Sequence, residues 1–109
     1  MSYKIEVTAD FEKDLKKIFK KHHSIKNDLA ELIASLETNP QQGTPLGNNC
    51  YKIRLAIASK GKGKSGGARV ITNIVIADTT VYLPTIYDKS DKENLTDKEL
   101  KELLEDVPK

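Results

Sequence analysis

Between residues 38 and 50 the hydrophobic period of this chain changes from that of a helix to that of a strand. Upstream, Ile25, Leu29, Leu32, Ile33 and Leu36 fall at i, i+4, i+7, i+8 and i+11, an apolar stripe of helical spacing. Downstream, YKIRLAIA alternates Tyr51, Ile53, Leu55 and Ile57 with Lys52, Arg54, Ala56 and Ala58, the period of a half-buried strand. An apolar helix stripe needs a surface to cover, and the apolar side of such a strand provides one. The two periods together call for helices packed on a sheet.

The rest of the chain fits that frame. SYKIEVT alternates as a first strand, and ADFEKDLKKIFKKHHS places Phe11, Leu15, Ile18 and Phe19 on one helical face. Ser24 is positioned to cap the second helix, so the two helices form an antiparallel hairpin. ETNPQQGTPLGNN, rich in proline, glycine and amides, reads as a loop. ARVITNIVIA and TVYLPTIY complete a three-stranded antiparallel meander. Pro84 cannot donate to a ladder, which calls for an edge position or a bulge. Thr96 and Glu99 form a capping box for a C-terminal helix, with Leu95 and Leu100 at staple positions and Leu100, Leu103 and Leu104 as its stripe. The order β-α-α-β-β-β-α predicts an α+β sandwich whose sheet has one face on the helices and one in solvent.

Residues 1–109 suffice for a single domain with one modest core. The lone Cys50 has no partner for an internal disulfide, and a small semi-buried thiol is its expected role. No apolar run approaches the ~20 residues that span a bilayer, and the N-terminus carries no signal-peptide pattern. A cytoplasmic protein without membrane contact is expected.

Charge is unevenly spread. Residues 1–37 hold seven lysines and seven acids, and residues 78–109 hold five lysines and nine acids. Between Thr38 and Ala77 stand Lys52, Arg54, Lys60, Lys62, Lys64 and Arg69 with no acid at all. Such a block attracts polyanions although the whole chain is only +2. Its centre, SKGKGKSGGAR, satisfies G-x-G-x-x-G, but a strand follows where a dinucleotide site needs a helix. Ala58 occupies the place of the first P-loop glycine. What remains is a long hairpin tip whose Lys60, Lys62 and Lys64 repel one another and gain by meeting phosphates. Strand alternation puts Lys52 and Arg54 on one face about 7 Å apart. An antiparallel neighbour would bring Arg69 beside them, giving a cationic floor with a cationic rim on the solvent side.

CYKIRLAIASKGKGKSGGARVITNIVIADTTVYLPTIYDKSDKENLTDKEL resembles the RelE/ParE superfamily of bacterial type II toxins, above all RelE- and HigB-type members with a glycine-lysine hairpin. YKIR, KSGGARVI and IYDKS are the most specific pieces. The resemblance implies a RelE-like, microbial-RNase-like sandwich and ribosome-dependent cleavage of mRNA in the decoding site. It also implies an antitoxin partner, alongside the 70S ribosome and mRNA, and a toxin that inhibits translation. Lys52 and Arg54 match basic residues that RelE-type toxins use around the scissile phosphate. Arg69 matches the arginine of the following strand, and Lys89 falls near the last-strand basic residue. The family's tyrosine towards the terminal helix has no match in NLTDKEL, and Tyr87 is the nearest substitute.

Cleavage by the RNA's own 2′-hydroxyl needs a base, an acid for the leaving oxygen and positive charge on the phosphorane. The sequence offers no metal-ligand cluster, so a metal-independent reaction without cofactor is expected. His22 and His23 read as turn residues. Crowding by neighbouring cations opposes protonation of Lys52, which nominates it as base. Arg54 and Arg69 suit phosphate stabilisation, and Tyr87 suits base stacking or proton donation. Two other functions compete with cleavage. A ParE-like gyrase-inhibiting toxin of the same fold would not need the Lys52, Arg54 and Arg69 constellation. A non-catalytic RNA-binding regulator would bind RNA and leave it intact.

Overall fold

A computed structural model describes residues 2–61, 63, 66–92 and 94–107. Among them the elements run β1 (Lys4–Val7), α1 (Ala9–Lys21), α2 (Ile25–Thr38), β2 (Thr44–Gly47), β3 (Cys50–Leu55), β4 (Ala68–Val75), β5 (Thr80–Asp88) and α3 (Asp97–Leu104). The α+β class and the order of helices and meander are as the sequence predicts. The strands form one sheet in the order β1-β5-β4-β3-β2. It is mixed: β1 runs parallel to β5, and the other pairings are antiparallel.

The helical stripes find the expected partner. Phe11 and Ile18 of α1 and Ile25, Leu29, Leu32 and Leu36 of α2 bury against Ile53, Val70, Ile74, Val81, Leu83 and Ile86. Each such side chain contributes about 1.5–3 kcal/mol by leaving water. Thr8 ties α1 to the sheet: its hydroxyl accepts from the Phe11 amide at 3.2 Å and donates to the Pro84 carbonyl at 3.1 Å. Ser24 departs from expectation. It makes no side-chain cap on α2, and its Oγ instead accepts from the Ser59 amide at 2.9 Å, holding the 3-10 turn at Ala58–Lys60.

Three further differences have local causes. Thr44–Gly47, inside the predicted loop, is an edge strand paired to β3. The hairpin turn between them is Asn48-Asn49, with φ of 54° and 60°, the left-handed pair that a two-residue turn of this kind requires. Pro84 is fully buried in β5, which lies between β1 and β4, so the edge alternative is wrong and the bulge alternative right: the β4–β5 register slips between Ile71 and Asn73. Finally, the second sheet face is not left to solvent. α3 lays Leu100 on Cys50, Ile71 and Tyr87, with Leu95 and Leu104 packed at the side. Its capping box is formed on both arms, Thr96 to Glu99 and back.

Candidate nucleic-acid interface

Strand register assembles the cationic residues. Arg54 on β3 faces Arg69 on β4, which faces Tyr87 on β5, so the three stand in one row across the sheet. Lys52 heads the next row, opposite Ile71, and Ile71 faces Thr85. Side chains two apart on a strand share a face, so Lys52, Arg54, Arg69 and Tyr87 all lie on one side. Sequence alternation had placed this face wholly in solvent, and that is corrected: it is the face that receives α3. Leucine burial at one end of the face explains the difference. Arg54 is exposed and Lys52 half-buried at the open end, whereas Arg69 is 5% and Tyr87 8% exposed.

Electrostatics divide these groups. Among the described residues no carboxylate lies within 4.0 Å of the Lys52 or Arg54 side chain. Arg69 donates from Nη1 to the Ala68 carbonyl at 3.1 Å. The Tyr87 hydroxyl is buried and, among the described residues, has no hydrogen-bond partner. Burial raises its pKa and the Arg69 charge opposes that rise. A buried hydroxyl left without a partner costs about 1–3 kcal/mol. Tyr87 lines a groove of about 370 Å³ between β5, α1 and α3. In its wall Thr85 donates to Asp14 at 2.6 Å.

The cationic rim divides too. Lys60, predicted to bind RNA, is turned inward: its side chain is 9% exposed and its Nζ lies 2.8 Å from Asp88 Oδ1. Asp88, 3% exposed, also accepts from the Ser90 hydroxyl at 2.7 Å and the Ser90 amide at 3.0 Å. His22 Nε2 stands 3.6 Å from its other oxygen. Burial pushes the Asp88 carboxyl up, but the Lys60 and Ser90 hydrogen bonds and the Lys60 charge outweigh it and hold the pKa at about 2. Asp88 is the neighbour of the cationic rim that sequence reasoning missed. Its Asp-x-Ser spacing, which lets a carboxylate receive its own downstream amide, was the available signal. Lys89 follows it, half-buried, with its amide donating to the Gly67 carbonyl at 3.1 Å. Lys62 and Lys64 lie outside the described residues. His23 stacks on Phe19 with ring centroids 4.8 Å apart, away from the row.

A family model for the RelE toxin of the RelE/RelB toxin–antitoxin system matches residues 10–106. The chain belongs to the RelE toxin family. Solved RelE structures share its fold at low identity. A mutant of E. coli toxin RelE in the free state is 17% identical, covers 99% of this chain and 100% of its own, and superposes with a TM-score of 0.65. The intact E. coli RelBE toxin-antitoxin complex is 18% identical over 80% of this chain and 96% of that one, with a TM-score of 0.60. A metal-bound toxin from Helicobacter pylori is 21% identical over 84% and 99%, with a TM-score of 0.52. Among the described residues of this RelE-family chain, no helix is long and apolar enough to cross a membrane.

Proposed function

We propose that this RelE-family chain is the toxin of a toxin–antitoxin pair and acts as a ribosome-dependent endoribonuclease on mRNA in the decoding site. The observation that carries the reading is the Arg54–Arg69–Tyr87 row with Lys52 on the same sheet face. A ribose-phosphate strand laid on the open end of that face would meet its scissile phosphate with exposed Arg54. Reaching Arg69 and Tyr87, 5% and 8% exposed, would require the packing over them to open. The permanent charge and forked donors of the two arginines suit a pentacoordinate phosphorane. The RNA's 2′-oxygen attacks phosphorus as the P–O5′ bond breaks. Lys52 is assigned as the base that accepts the 2′-hydroxyl proton. Tyr87 or Lys89 returns a proton to the leaving 5′-oxygen, leaving a 2′,3′-cyclic phosphate and a 5′-hydroxyl.

The antitoxin partner is inferred from the family and from the E. coli complex, in which a RelE toxin is bound to RelB. Purified protein added to ribosomes programmed with a defined message should give breaks at the codon in the A site, with cyclic-phosphate ends. An intact message under these conditions, or breaks equally frequent on naked RNA, would refute the ribosome-dependent nuclease.

A further inference from the structure

α1 has two unlike faces. Phe11 and Ile18 are buried in the core, with Leu15 and Phe19 packed beside them. At about 100° of turn per residue, Lys16, Lys20, Lys13 and Lys17 follow one another around an arc of about 100° on the opposite side. All four are exposed. No carboxylate falls inside the arc, whose borders are Glu12 and Asp10. Among the described residues none of the four ammonium groups has a carboxylate within 4.0 Å, whereas neighbouring Lys21 is paired to Asp91 at 3.4 Å. The outer side of α2 differs, with Glu31 and Glu37 exposed against Lys26. Positive charge is therefore concentrated on one helix face, in a segment whose overall lysine and acid counts cancel.

We propose that this face is a second, sequence-independent RNA contact, in which Lys13, Lys16, Lys17 and Lys20 hold the phosphates of an RNA duplex. The choice of RNA over other polyanions rests on the nuclease reading above. It is supported by the chemistry of the arc. From Lys13 to Lys20 the helix rises about 10 Å, the axial length of about three phosphates on one strand of a duplex. Lysines are mobile point charges, suited to a repeating anion and poorly suited to fixed, directional pairing. The arc contains no aromatic or aliphatic anchor of the kind that dominates protein interfaces. Membrane insertion is disfavoured because the apolar side of α1 is spent on the core.

Lys13 and Lys17 also border the groove that Tyr87 lines, so the two contacts are neighbours. Asp10, Asp14, Glu99 and Glu102 line that groove as well, which keeps the lysine face and the sheet face separate.

The test uses the full chain carrying Lys13→Gln, Lys16→Gln, Lys17→Gln and Lys20→Gln together, since glutamine forms helix about as well as lysine. The probe is a short blunt-ended RNA duplex, its binding followed by fluorescence anisotropy across a range of KCl. The log–log salt slope should become shallower by about 3 to 4 if each lysine covers one phosphate. Should the quadruple variant misfold, Lys16→Gln with Lys20→Gln should shift the slope by about 2. An unchanged slope in a folded variant overturns the proposal. So does competition by poly-glutamate or anionic vesicles as strong as that of the duplex at equal charge. Loss of slope in a protein that cuts no message would leave this contact standing while the nuclease reading fell. Cleavage with an unchanged slope would do the reverse.

Discussion

Arg54 stands directly across from Arg69 in the β3–β4 register. Side chains so placed are about 5 Å apart at Cβ, and like charges there oppose folding. The sheet holds the pair together through its ladder and through the Ile53 and Val70 side chains buried on the other face. Arg54 is exposed, so its removal leaves no cavity. Arg54→Gln should therefore raise stability slightly, by about 0.5 kcal/mol, while cutting ribosome-dependent cleavage about 100-fold or more, the scale of losing one donor to a transition-state oxyanion. Urea denaturation beside a cleavage assay checks both. A variant that is less stable yet still cleaves normally would contradict this use of the pair.

Asp88 should govern acid stability. Its folded pKa of about 2 lies below the ordinary 3.8, so folding favours the charged carboxylate. The resulting stability is fully present above pH 3.8 and is lost as pH falls through about 2. The shift corresponds to about 2 kcal/mol. Asp10 acts in the opposite sense: its hydrogen bond with Asp106, then burial, raise its pKa, so it favours folding as pH falls. Asp88→Asn should be destabilised at pH 7, and the gap to the unsubstituted protein should narrow in denaturant titrations run towards pH 2. A gap independent of pH would show that Asp88 is not held charged.

Tyr87→Phe separates the hydroxyl from the ring. The hydroxyl is buried without a partner among the described residues, so its removal should leave stability unchanged or raise it by up to about 1 kcal/mol. Cleavage on the ribosome should fall at least 10-fold if that oxygen supplies the leaving-group proton. Matching thermal melts with single-turnover rates measures the two effects. Full activity in the phenylalanine variant would pass the acid role to Lys89.

Cys50 should be chemically quiet. It is 1% exposed, burial raises its thiol pKa, and the hydrogen bond from Asn73 opposes that only in part. The native protein should resist iodoacetamide and react only after unfolding. Cys50→Ala should cost about 1 kcal/mol and leave cleavage intact. Rapid native alkylation would place the thiol at the surface, against the packing of Leu100 over it.

Much of the architecture was legible in the sequence because its signals are local. The stripe from Ile25 to Leu36, the alternation from Tyr51 to Leu55 and the Thr96–Glu99 box each specify an element within a few residues. Thr44–Gly47 gave no such signal, since all four residues are exposed and the strand exists through backbone pairing alone. The co-facial placement of Lys52, Arg54 and Arg69 followed from alternation and hairpin pairing. Where α3 docks did not, because its leucine stripe could have met either sheet face and only tertiary packing chooses. Lys60 was read as a free cation because its partner, Asp88, is 28 residues away. Gly67 carried no sequence signal of its own, and a Cβ there would sit 2.1 Å from the Leu55 carbonyl oxygen. Its smallness lets β3 and β4 meet at the root of the hairpin.

The sheet-face assignment is tested most directly by single-turnover cleavage of a ribosome-bound message by the unsubstituted chain and by Lys52→Ala, with ribosome affinity measured in parallel. If Lys52 takes the 2′-hydroxyl proton, the cleavage rate falls about 100-fold or more while affinity changes by less than about threefold. Equal loss in rate and affinity, or an unchanged rate, would contradict a chemical role for this face.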